Sequence, residues 1–130
     1  MCSLAAQVCE DREHGFADDL FADVDRKDAA LFAKYLADDA VFRFANADEV
    51  VGRDNIETTL GAFYDSIKAL RHERQGLWEV DDSTIVWSDV TYTKFDDSRL
   101  TVPVVTIVKR NDDGLIVDYR IFMDATPLFA

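Results

Sequence analysis

An α+β fold, with helices gathered on one face of a bent and mostly antiparallel sheet, is predicted by three features of this chain. Apolar residues recur at helical spacing in its first half, at Phe16, Leu20, Phe21 and Val24 and again at Ile56, Leu60, Phe63 and Ile67. Its second half carries β-branched and aromatic runs separated by short acidic turns, Asp81-Asp82-Ser83, Asp96-Asp97-Ser98 and Asp112-Asp113-Gly114. Helices first and strands last place the helices together against an antiparallel meander. A chain of 130 residues makes one such domain and one core.

Taken in order, residues 1–12 read as a loose N-terminal segment, and 13–130 as the single domain. The spacing predicts a helix from about His14 to Val24. Asp28 then caps a second helix, Ala29 to about Ala37, because its carboxylate can accept the free backbone N–H groups there. Leu31, Phe32, Tyr35 and Leu36 form the buried stripe of that helix. A short strand follows over 40–45, with Phe42 and Phe44 on one face. Asp54 and Glu57 have capping-box spacing at the start of a third helix, which runs to about Leu70. Strands are predicted over 71–80, 84–95, 100–109 and 115–123. Gly76 marks a possible bulge, and Pro103 needs an edge, a bulge or an outward N–H position, since it cannot donate to the ladder.

The last strand organises the rest. Strand side chains alternate, so Leu115, Val117, Tyr119, Ile121 and Met123 share one face and Ile116, Asp118, Arg120, Phe122 and Asp124 the other. The first face is apolar but for one hydroxyl and needs helices over it. A bent sheet is not covered evenly, so a pocket is expected at one end, lined by Phe44, Trp78, Tyr119, Ile121 and Met123.

Composition narrows the function. The net charge is −12, from 26 acidic and 14 basic residues, and no basic patch is present to hold a nucleic-acid backbone. No apolar run reaches the roughly 18 residues of a membrane span. The N-terminal stretch lacks the basic flank and apolar run of a signal peptide, and its two cysteines, Cys2 and Cys9, make no disulfide framework, so a cytoplasmic location is expected. No phosphate-binding glycine loop, paired-histidine metal spacing or nucleophile elbow is present, so neither metal nor cofactor is expected.

The element order, with Val24-Asp25…Asp28, Tyr35-Leu-Ala-Asp-Asp-Ala-Val-Phe42, Val51-Gly52-Arg53-Asp54-Asn55-Ile56 and the ending Tyr119-Arg120-Ile121-Phe122-Met123-Asp124, resembles the nuclear transport factor two-like superfamily. The SnoaL-like and ketosteroid-isomerase-like branches are most similar in pattern. The resemblance covers residues 12 to 128. It implies a cone of three N-terminal helices packed in a strongly bent sheet, and a homodimer through the sheet's outer face. Apolar residues on both faces of one strand, Ile85 and Trp87 against Val86 and Val90, support the dimer. By the same resemblance, the ketosteroid isomerases' base and two oxyanion-hole donors fall at Phe44, Leu20 and Thr106, so that catalytic set is absent. The acidic position of the limonene-epoxide-hydrolase branch falls at Ile121.

Two ionisable residues are the candidates for moving protons. His72 is a residue type able to move protons in a pocket, or else it caps backbone carbonyls at a helix-to-strand junction. Asp124 is a cavity base or a turn residue accepting N–H groups from Ala125-Thr126-Pro127. Asp89 is a base if it faces inward and a solvent or interface residue if outward. Tyr119 and Tyr92 can hold a substrate oxygen, with Phe44, Trp78, Ile121 and Met123 as substrate-binding walls. Two functions follow. One is a cofactor-independent isomerase, cyclase or dehydratase acting on a small apolar carbonyl compound. The other is a non-catalytic module that binds a small hydrophobic molecule or another chain.

Overall fold

The computed structural model describes residues 15–129. In order these form α1 (Phe16–Val24), α2 (Ala29–Ala33), β1 (Leu36–Phe44), β2 (Val50–Val51), α3 (Arg53–Asp65), β3 (Ala69–Val80), β4 (Ser83–Thr93), β5 (Arg99–Arg110), β6 (Ile116–Phe122) and α4 (Thr126–Phe129). The expected N-terminal lead-in, His14 and both cysteines lie outside these residues. The fold is α+β, with four helices among the described residues against three expected from sequence. The addition is α4, one turn after the last strand.

Local chemistry explains most boundaries. Asp28 caps α2, its Oδ1 accepting from the Leu31 N–H at 3.1 Å. That helix stops at Ala33 rather than near Ala37, because the chain is drawn into the sheet: the Ile116 N–H donates to the Tyr35 carbonyl at 2.8 Å and Leu36 pairs with Ile116. The Asp54 capping box does not form. The N-cap is Gly52, at φ 101°, where a side chain would be strained. Helix α3 ends at Asp65, short of Leu70, and the Lys27 ammonium closes it by donating to the carbonyls of Tyr64 (3.0 Å) and Ile67 (2.7 Å). Between β5 and β6, Asn111 Oδ1 accepts from the N–H groups of Asp113 and Leu115, and Gly114 takes φ 83°.

The six strands lie in the order β2-β1-β6-β5-β4-β3. All pairs are antiparallel except β1 with β6. Three irregularities interrupt the ladder: at Arg74–Gly76, at Lys109–Arg110 opposite β6, and between Leu36 and Val41. Extra residues on one strand of a pair bend it and increase its twist, and so the sheet curves around the helices. Pro103 pairs with Asp89 where β5 has β4 as its only neighbour, since pairing to β6 begins at Val105, so it sits at a local edge of the sheet.

The second irregularity corrects the face assignment of the last strand. Lys109 pairs with Asp118 and Arg110 with Ile116, which leaves Val117 as the bulged residue. Ile116 therefore turns inward and is fully buried, as is Tyr119 three positions on. Strict alternation holds only from Asp118 onward. On β4 it holds throughout: Thr84, Val86, Ser88, Val90 and Tyr92 face the helices, while Trp87 stands 42% exposed outside. Asp89 shares the outer face with Trp87. The core is built between this inner face and α1, α2 and α3, from Leu20, Phe32, Leu36, Ile56 and Val90 among others.

Candidate functional site

Inside the bend lies a cavity of about 180 Å³. Its floor is made by buried residues of four strands and α3, among them Phe42, Tyr64, Tyr92, Thr106 and Tyr119. Its rim is formed by Phe44, Ala47, Thr59, Phe63 and Ile121, which are half-buried or exposed. Phe44 and Phe63 pack against each other at the rim, with ring centroids 5.4 Å apart. The wall is almost wholly apolar carbon, interrupted by a few polar groups that converge from different elements.

His72, on β3, is the ionisable group among them. It reaches the cavity because β3 passes under α1, where the imidazole packs on the Phe21 ring at 4.8 Å. Asp25, the C-cap of α1, holds it twice. The carboxylate accepts the His72 backbone N–H (3.0 Å to Oδ2) and approaches Nδ1 at 2.7 Å. A carboxylate only accepts, so Nδ1 carries a proton and donates it to Asp25, which leaves Nε2 as the nitrogen free to exchange one. Nε2 has no partner among the described residues, and the His72 side chain borders both the apolar cavity and a polar groove on its other side. A shallower polar groove lies behind the ring, lined by Asp18, Asp25, Arg74 and Ser88.

Three phenols complete the site. Burial first, and then Tyr64, Tyr92 and Asp25, hold Tyr119 well above the ordinary phenol range. Burial, followed by Asp25 and Tyr92, does the same for Tyr64, and burial pushes Tyr92 up to about 12. All three stay protonated near neutrality and act as hydrogen-bond donors. The Tyr92 hydroxyl donates to Met123 Sδ at 3.5 Å. Those of Tyr64 and Tyr119 have no partner among the described residues and face the cavity.

Of the residues singled out from sequence, His72, Tyr119, Tyr92, Phe44 and Ile121 are brought together here. Three are not. Asp124 is exposed, and its Oδ1 accepts the Thr126 N–H at 3.0 Å, so it is a turn residue. Met123 lies behind Tyr92 and does not line the cavity. Trp78 points to the outer face, 50% exposed, its ring lying across Gly76. The strand register decides this: Trp78 pairs with Ile85, one of the outward residues of β4. Sequence reasoning missed Asp25 and Tyr64. Tyr64 sits on the helical stripe of Ile56 and Leu60 and reads as core. Asp25 carries one local signal, an acid at the C-terminal end of a helix, where the dipole disfavours it.

Comparison with known proteins follows from this geometry. The SnoaL-like domain family matches residues 17–119. Solved structures share the fold at low identity. A protein described as a SnoaL-like polyketide cyclase, from Shewanella denitrificans OS-217, is 13% identical with a TM-score of 0.72 over 85% of this chain and 88% of its own. An NTF2-like protein from Burkholderia pseudomallei K96243 is 15% identical, TM-score 0.74, over 87% and 91%. SalBIII, an epoxide hydrolase/cyclase-like enzyme of pyran ring formation in the polyether salinomycin, is 17% identical, TM-score 0.73, over 85% and 88%. Among curated proteins, none matches the sequence.

Proposed function

The chain belongs to the SnoaL-like domain family, within the nuclear transport factor two-like superfamily, and from that premise we propose that it is a cofactor-independent acid–base enzyme, an isomerase, cyclase or dehydratase of a small apolar carbonyl compound. The observation that carries this reading is the Asp25–His72 pair, 2.7 Å apart, at the wall of an apolar cavity into which protonated phenols open. Asp25 is a positioning residue that fixes the ring and its tautomer. His72 Nε2 takes a proton from the carbon beside the carbonyl. The C–H electron pair becomes the C=C bond of an enolate, and its oxygen accepts hydrogen bonds from Tyr119 and Tyr64. Nε2 then returns the proton to that carbon or to its conjugated neighbour, so the base is regenerated. Acid–base transfer of this kind contributes roughly 10²–10⁴-fold.

The test is isomerisation of 3-cyclohexen-1-one to its conjugated isomer, followed by ultraviolet absorbance, with deuterium uptake from D2O read by NMR. Wild type is expected to exceed buffer and His72→Asn to fall to it. Binding of the ketone with no proton exchange would instead assign a ligand-binding module. That second reading is favoured by the absence of the ketosteroid-isomerase set, whose positions hold Phe44, Leu20 and Thr106.

We also propose a homodimer through the outer face of the sheet. Trp78, Ile85 and Ile107 stand in register across three strands, beside Trp87, Val105 and Phe122. Trp78, Trp87 and Phe122 are 50%, 42% and 51% exposed, and so large a contiguous apolar area on a sheet calls for a partner.

A further inference from the structure

We infer that the cavity selects an uncharged molecule with a single ring, seated with its oxygen acceptor on the tyrosine floor, and that it rejects carboxylates and other anions of the same size. This deepens the acid–base reading above, from which it takes the site but not the chemistry.

Size comes first. An apolar cavity of about 150 Å³ takes benzene. At about 180 Å³ this one holds a ring with a short substituent. Two fused rings would have to displace the rim, where Phe44 and Phe63 are in contact.

Charge comes second. Among the described residues lining the cavity, none is Lys, Arg, Asp or Glu. A carboxylate there would be taken out of water with no Lys or Arg to meet it, which is the costly case. Asp25 makes it worse, because its carboxylate stands 2.7 Å behind the His72 ring. The net charge of −12 adds a long-range repulsion of anions.

Polarity comes third and sets the orientation. The rim is carbon apart from the Thr59 hydroxyl. The donors are at the buried end, where Tyr64 and Tyr119, each under 5% exposed, keep hydroxyls without a partner among the described residues. One oxygen acceptor with two lone pairs has the capacity to take both phenol donors, and a ligand lacking it leaves both unpaired. A neutral ketone, aldehyde or ring ether fits. A plain hydrocarbon fills the volume and forfeits the hydrogen bonds.

The experiment uses the full chain and four ligands measured by NMR titration at pH 7: acetophenone, benzoate, ethylbenzene and 2-acetylnaphthalene. Acetophenone and benzoate share a shape and differ in charge. Ethylbenzene lacks the oxygen, and 2-acetylnaphthalene adds a ring. Acetophenone is expected to bind about tenfold or more tighter than each of the others. Tyr119→Phe and Tyr64→Phe are expected to narrow the gap between acetophenone and ethylbenzene, and either variant suffices if the other unfolds. Benzoate or the naphthalene binding as tightly as acetophenone overturns the inference, as does failure of all four to bind. Binding in the expected order with no proton exchange on 3-cyclohexen-1-one leaves this inference standing and refutes the catalytic reading.

Discussion

Asp25 sits where a carboxylate is locally unfavourable. It caps the C-terminus of α1, beside the negative end of the helix dipole, in a last turn with no basic residue. The compensation is distant in sequence, the N–H and imidazole of His72, 47 positions on. A local rule broken and offset from elsewhere is what a functional site looks like in a sequence. Asp25→Asn puts an amide at Nδ1 that can donate as well as accept and so releases the tautomer. Turnover of the model ketone is expected to fall on the order of 10²-fold, with the chain still folded by circular dichroism. The phenols give a second prediction at this scale. A phenol whose range is raised by folding stabilises the protein fully below its unfolded value of 10.0, and that stability is lost as pH rises toward the folded value. With Tyr92 at about 12 and Tyr64 and Tyr119 also raised, urea-unfolding stability should drop between pH 10 and 12, by about 1.4 kcal/mol per pH unit for each phenol involved. Tyr119→Phe should make that slope shallower.

At the scale of elements, the link between α1 and α2 also closes α3. Lys27 takes φ 56°, which turns its side chain across to the last carbonyls of α3. Lys27→Met keeps the aliphatic stem and removes the donor and the charge. A loss of about 1–2 kcal/mol is expected in chemical denaturation, because two carbonyls at a helix C-terminus lose a charged partner. The strands show the same dependence on partners. Gly76 follows the extra residue of the β3 bulge, and a Cβ there would lie 2.5 Å from the Trp78 ring. The bulge, the glycine and the outward tryptophan are therefore one feature of the sheet.

For the whole molecule, curvature creates two surfaces of opposite use. The concave face is filled by helices except over the cavity, and the convex face keeps its tryptophans in solvent. If the convex face is the dimer contact, Trp87→Lys should shift sedimentation from dimer to monomer at micromolar concentration while leaving ketone turnover in place, since Trp87 lies on the far side of the sheet from His72. A wild-type chain that sediments as a monomer at that concentration would remove the dimer.

The sequence by itself determined what local periodicity and turn chemistry control. Helical stripes at Phe16–Val24 and Ile56–Phe63, the Asp28 cap, the Asn111–Gly114 turn and four strands in succession are visible in it, as is the family pattern. It also reached five of the cavity's residues, because Tyr119 and Ile121 follow from alternation along one strand and Phe44 from another. Tertiary structure alone decided the rest. The extra residues at Gln75 and Val117 shift register by one, and each such shift moves a side chain to the other face, so Ile116 went in. Trp78 went out because its partner in the ladder, Ile85, lies on the convex side. The Asp25–His72 contact joins a helix end to a strand 47 residues away, and no spacing rule spans that distance: only the bend of the sheet under α1 brings the carboxylate to the imidazole.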